Sequence, residues 1–192
     1  MKPVVIVGAG ALGSHLVLLA RNWKYPLVVI DFDRVEQRNV ESQFHTRMTL
    51  RKSKVLSLQQ SMQGLFGTTI QVQPRELTPD NVGALLGNAR LVIDCTDNLK
   101  ARQTIQGFVR PRNIPCLHGA LSAAGDFGLA VWTEDFVPDS EAGTTGHTCE
   151  NGMQLPFFAL AAAQVALVAQ EFLITDRKQS FQFTAHSVLR IG

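Results

Sequence analysis

The stretch "VVIVGAGALGSHLVLLARNW" (residues 4–23) is followed closely by "PLVVIDFD" (residues 26–33). A short apolar run leads into Gly8, Gly10 and Gly13, then into a helical pattern, then into a second apolar run that ends at an acid. In such a turn Gly8 permits the tight bend, Gly10 lets backbone approach a phosphate, and Gly13 lets helix and strand pack closely. Amide groups at the start of the helix face the anion. Asp31, at the end of the second strand, stands where a carboxylate accepts from ribose hydroxyls. Taken alone, the pattern points to a dinucleotide enzyme using NAD, or to a strand–helix turn that needs glycine for packing only.

The rest of the chain reads as alternating strands and helices. Strands are expected at 3–7, 27–30, 68–73, 90–95 and 114–119, with helices over 11–22, 50–63, 78–87 and 98–110. Residues 31–49, "DFDRVEQRNVESQFHTRMT", show no clear period. "GDFGLAVWTED" (125–135) rises from a glycine turn as an antiparallel strand. A polar crossover loop over 133–150 precedes a long helix, and "SFQFTAHSVLRI" (180–191) alternates like one antiparallel strand. The expected fold is one α/β domain over residues 1–192, Rossmann-like and doubly wound, mostly parallel with antiparallel edge strands at its C-terminal end.

Composition agrees with a protein that buries a core. Of 192 residues 45% are hydrophobic and 18% charged, and the net charge of +2 is too small to imply nucleic acid or an anionic membrane. The three cysteines, Cys95, Cys116 and Cys149, form no disulfide framework and suit a cytoplasmic protein. The opening apolar run is too short for a signal-peptide core. The apolar stretch from Met153 to Ile174 carries Pro156, Gln164, Gln170 and Glu171, and is expected as a buried or interface helix rather than a membrane span.

The residues beyond Asp31 do not suit a plain dehydrogenase. Asp33, Asn39 and Gln43 lie just past it, and Lys54 sits on the next helix. "VIDCTDN" then puts Asp94, Thr96, Asp97 and Asn98 at the carboxyl end of the fourth strand, with Arg102 one turn into the following helix. Acids, a lysine and an arginine around a phosphate loop suit ATP chemistry, in which an aspartate holds magnesium.

In its glycine turn, "DFD-x-V…N…Q", following lysine, "DCTDN…R", "IPCLHGA" and "TCENGMQLPFFALAAAQVALVAQEFL", the chain resembles the ThiF/MoeB family, whose adenylating domain is shared with ubiquitin-activating enzymes. The resemblance runs almost end to end. It implies adenylation of the C-terminal glycine carboxylate of a ubiquitin-like or sulfur-carrier protein ending in Gly-Gly, with ATP and Mg²⁺. It implies Gly8, Gly10 and Gly13 at the nucleotide, Asp31 at the ribose, Asn39 and Lys54 around the phosphates, and Asp33 and Gln43 also at the nucleotide. Asp97 is implied as the magnesium-linked acid, with Asn98 and Arg102 beside it. Some relatives activate a tRNA-base carboxylate instead, and others are non-catalytic partners in a heterodimer.

The resemblance also suggests a homodimer or heterodimer, with the long apolar helix near the contact. Cys149 stands where some relatives carry an acyl-accepting cysteine, and a thiolate before a helix is activated by its dipole; the alternative is a structural cysteine. Cys95 and Cys116 are expected in the core, and His118 as a hydrogen-bonded structural histidine. Ser42 stands where many relatives have an arginine facing the phosphates, with Arg38, Arg47 and Arg51 as candidate replacements. The sequence opens at the first strand, so the relatives' leading helix and its arginine are expected to be missing. With no C-x-x-C pair, a structural zinc site is not expected.

Overall fold

"VVIV", "LVVI" and "LVID" are unbroken apolar runs because a parallel strand covered by helices on both faces has no solvent side. The computed structural model describes residues 1–122, 124–137 and 152–191, and these three runs are β1 (Val4–Val7), β2 (Leu27–Ile30) and β4 (Leu91–Asp94), every residue buried. The helices among the described residues are α1 (Ala11–Leu19), α2 (Asn39–Ser42), α3 (Lys54–Phe66), α4 (Val82–Leu86), α5 (Leu99–Val109) and α6 (Leu155–Thr175). The remaining strands are β3 (Gln71–Gln73), β5 (Cys116–Leu121), β6 (Phe127–Trp132), β7 (Ser180–Thr184) and β8 (Val188–Ile191).

All eight strands share one sheet in the order β3-β2-β1-β4-β5-β6-β7-β8. The first five are parallel, and β6, β7 and β8 each run antiparallel to the preceding neighbour. The fold class is therefore the one expected. Strand order reverses at β1, between β2 and β4, and the registers Val7↔Ile30 and Val7↔Asp94 bring the carboxyl ends of three strands level. A ligand crevice belongs at that switch point.

Alternation along each strand separates two cores. Val4, Ile6, Val29, Ile93 and Leu117 face α1, α3 and α6. Val5, Val7, Val28, Val92 and Cys116 face α4 and α5. The long apolar helix α6 has the length and composition of a membrane span, with a mean hydropathy of 1.8. Its Phe158, Ala161, Ala162, Val165 and Ala169 are fully buried against α1 and the sheet. Burying a large apolar side chain of this kind contributes roughly 1.5–3 kcal/mol. Leu167 and Ile174, on the same helix, remain 58% and 72% exposed.

Several expected boundaries move. The tail is a hairpin, not one strand, because Thr184 and Ser187 close a turn through backbone and hydroxyl bonds. Trp132 anchors that hairpin by donating to the Gln179 carbonyl at 3.1 Å and packing on Phe172. The helix expected at 50–63 starts at Lys54, since Arg51 to Ser53 pair back with Arg34 and Val35. Residues 78–81 form a turn in which Asn81 accepts from the Thr78 amide, so α4 starts only at Val82. β3 keeps Gln71–Gln73 alone of the expected 68–73. β5 continues past Gly119 to Leu121, which makes His118 an interior strand residue. The aperiodic stretch 31–49 contains α2 and a 3₁₀ turn at Arg47–Thr49.

Candidate active site

The chain leaves β1 through a turn that only glycine fits at two places. Gly8 has φ +94°, and a Cβ there would stand 2.8 Å from the Cys95 carbonyl oxygen. A Cβ on Gly13 would stand 1.9 Å from the Gly8 carbonyl oxygen. Gly10, just before α1, is different: its missing Cβ would meet nothing within 4 Å. Its open side is the wall of a cavity of about 380 Å³ at the switch point.

The turn is clamped at its centre. The Ala9 amide donates to Asp31 Oδ2 at 2.6 Å, and the Ala9 carbonyl faces His45 Nε2 at 3.1 Å. That carbonyl can only accept, so the His45 proton sits on Nε2. Burial above all, with a smaller contribution from the nearby Lys54 charge, lowers His45 to about 4. The second Asp31 oxygen accepts from the Asp33 amide at 2.7 Å. Burial raises the Asp31 carboxyl, against the lowering effects of the Lys54 charge and the two amides. Each oxygen still has a lone pair for a hydroxyl donor. Lys54, nearly buried, reaches Asp33 at 2.8 Å.

Opposite the glycine turn, β4 ends in a second built turn. Asp94 is buried and accepts from the Thr96 amide and hydroxyl at 2.9 and 2.7 Å. Its other oxygen faces His118 Nδ1 at 2.8 Å, and His118 Nε2 lies 3.1 Å from the Thr133 hydroxyl. Arg102 donates through Nε and Nη2 to the Thr96 carbonyl at 3.0 and 2.8 Å. Asn98 caps α5 by accepting from the Ala101 amide at 2.8 Å. Asp97 lies exposed on the crest of this turn, with no hydrogen bond or ion pair among the described residues.

Of the residues expected at a nucleotide, Gly8, Gly10, Asp31, Asp33, Lys54, Asp97, Asn98 and Arg102 line this one cavity. Gly13 lies beneath it, as packing requires. Asn39 and Gln43 are buried and do not line it; the Asn39 side chain accepts from the Glu36 amide at 2.8 Å, turning the chain into α2. Ser42 is buried with its hydroxyl on the Arg38 carbonyl, and Arg38, Arg47 and Arg51 do not reach the cavity either. His118 is the structural histidine expected, stacked on Phe136 at 4.1 Å. Cys116 is core, whereas Cys95 is only half-buried beyond β4 and lines the cavity. Desolvation and the Asp94 charge push the Cys95 thiol up, which disfavours a thiolate there. Cys149 and most of the crossover loop lie outside the described residues.

Four features of the site went unpredicted, three on the cavity wall and one behind it. Phe32 and Arg75 wall the side next to Asp31, Lys100 stands on the first turn of α5, and His45 braces the glycine turn from behind. The last has no sequence signal, since its partner is a carbonyl 36 residues away. Lys100 had one: a basic residue in a helix's first turn, where the dipole favours acids.

Sheet order, switch point and glycine turn together define a Rossmann-like α/β protein with its cavity at the carboxyl ends of the parallel strands. A family model described as "ThiF family" matches residues 2–187, and the chain belongs to that family. It is 34% identical over 122 residues to a SAMP-activating enzyme E1 of Haloferax volcanii, covering 62% of this chain and 45% of that one. It is 30% identical over 121 residues to a molybdopterin-synthase adenylyltransferase of Salmonella typhimurium, covering 61% and 48%. The chain thus spans about half the length of the curated relatives it matches. A crystal structure of Escherichia coli MccB with ATP aligns with all of this chain and 64% of that one, at a TM-score of 0.77 and 13% identity, a likeness of fold.

Proposed function

We infer that the chain is an adenylating enzyme: it uses ATP to activate the C-terminal carboxylate of a small carrier protein, releasing pyrophosphate. The observation that carries this is the pairing of an open glycine turn with an exposed Asp97, which has no partner among the described residues, across one cavity with cations on its walls. The named relatives are adenylating and activating enzymes, and that supports the reaction class.

The residues fit the nucleotide and its metal. The open side of Gly10 and the first amides of α1 suit the α-phosphate. Asp31 suits the ribose, and Lys54 adds positive charge near the phosphates. Asp97 would hold Mg²⁺, which neutralises charge on the departing pyrophosphate. Arg102 does not reach outward; its guanidinium fastens the turn that presents Asp97. Gly119, Ala120 and Leu121 form an uncharged wall beyond Asp97, suited to a glycine-ended peptide. Catalysis here is mostly positioning: a weak carboxylate nucleophile is held in line with the α-phosphate. We further propose that Leu167 and Ile174 meet a second subunit, because their exposed apolar area is otherwise unexplained.

The test has two stages. Mg·ATP should raise the melting temperature, and NAD should not. Labelled pyrophosphate should then exchange into ATP when a small protein ending in Gly-Gly is present. Asp97→Ala should cut that exchange at least about a hundredfold, roughly 3 kcal/mol of barrier, with little change in melting temperature because the Asp97 side chain is exposed. A melt shift with NAD and none with ATP would overturn the reaction class. ATP binding without exchange for any carrier would make the chain a non-catalytic partner.

A further inference from the structure

Four cationic side chains line the cavity: Lys54, Arg75, Lys100 and Arg102. Two are engaged within the protein. Lys54 is held at Asp33, and Arg102 donates twice to the Thr96 carbonyl. The side chains of Lys100 and Arg75 make no hydrogen bond or ion pair among the described residues, and both are exposed.

The sheet tells these two apart. Arg75 follows β3, the strand next to β2 and hence next to Asp31, at the ribose end. Lys100 follows β4 on the far side of β1, three residues after Asp97. A nucleotide with its ribose at Asp31 and α-phosphate at Gly10 therefore extends its outer phosphates toward Asp97 and Lys100. The local electrostatics agree. The Leu99 and Lys100 amides have no partner among the described residues, since the Asn98 side chain and carbonyl serve only Ala101 and Arg102. A lysine beside those amides adds repulsion to an already positive helix end, and a polyanion in the cavity removes it.

We propose that Lys100 grips the β- and γ-phosphates, so that this residue sets the preference of the site for ATP over AMP. The inference rests on the adenylating function given above. A lysine suits that role, because a compact charge on a flexible stem follows the outer phosphates and swings out as pyrophosphate leaves.

The experiment measures dissociation constants for Mg·ATP and for AMP by calorimetry on the whole chain, comparing wild type, Lys100→Gln, Lys100→Arg and Arg75→Gln. The expected result for Lys100→Gln is at least tenfold weaker ATP binding, AMP binding within twofold of wild type and an unchanged melting temperature. Lys100→Arg should restore most of the ATP preference, a rescue that a purely structural residue would not show. An unaltered ATP-to-AMP ratio in Lys100→Gln overturns the proposal and leaves the nucleotide site standing. Loss of the ratio in Arg75→Gln alone moves the outer phosphates to the β3 side and also overturns it. Wild-type protein that binds neither nucleotide overturns the adenylating function itself.

Discussion

The two walls of the cavity are built on opposite plans. On the β1–β2 side every working group except Gly10 is also structural: Asp31 holds the Ala9 and Asp33 amides, His45 braces the Ala9 carbonyl and Gly13 receives the Gly8 carbonyl. On the β4–α5 side the bracing belongs to Asp94, His118 and Arg102, while the side chains of Asp97 and Lys100 have no partner among the described residues. One wall uses the same atoms for fold and ligand; the other divides the two roles between residues. Substitutions in the first, Gly10 apart, should therefore move stability and binding together, and in the second binding alone.

The sharpest way to break that contrast is Gly13→Ala. Its Cβ would sit 1.9 Å from a backbone oxygen, so α1 must lift from the turn at a cost on the order of 4 kcal/mol or more. Denaturant titration reads this, and a loss under about 1 kcal/mol would show the turn to be far looser than its close contacts imply.

His45 comes next. In the unfolded chain it takes a proton near the ordinary histidine value of 6.5, and in the folded protein only near about 4. Between those values the unfolded state binds more protons, so the contribution is present above 6.5 and lost as pH falls toward 4. The full loss is about 3 kcal/mol at most. Burial lowers His15 as well and adds a slope of the same sign, so the readout is the difference between wild type and His45→Gln. Parallel stability profiles for the two proteins would remove His45 from the brace.

The smallest effect on folding belongs to Gly10→Ala. Nothing lies within 4 Å of the added methyl, and stability should stay within about 0.5 kcal/mol. Mg·ATP affinity should nevertheless fall about tenfold, because the methyl enters the space given to the phosphate; a tenfold change is about 1.4 kcal/mol. Unchanged affinity would detach the phosphates from Gly10.

Legibility in the sequence followed the range of the interaction. The inner strands were plain because burial on both faces writes continuous apolar runs, and the glycine turn because its three glycines stand at a characteristic spacing between a strand and a helix. Asp31, Lys54 and Asp97 were singled out by motif and spacing, and all three line the cavity. Asn39 and Gln43 were expected at the nucleotide yet lie buried at the two ends of α2 and do not line the cavity, since spacing alone does not say which way an amide faces. The tail hairpin escaped because its turn, Ala185–His186–Ser187, carries neither glycine nor proline and keeps alternation going on both sides. His45 escaped because a side chain that meets a distant carbonyl leaves no local trace.

The buried line from Thr96 through Asp94 and His118 to Thr133 has a consequence for protein engineering. It joins the turn beneath Asp97 to the point where the chain leaves β6, and Arg110 adds bonds to the Thr133, Glu134 and Phe136 carbonyls. A chimera that imports another family member's segment between β6 and α6 therefore has a natural splice point after Phe136. A graft cut upstream of Thr133 would replace a residue that helps hold the turn carrying Asp97 in place, and would disturb the cavity along with the loop.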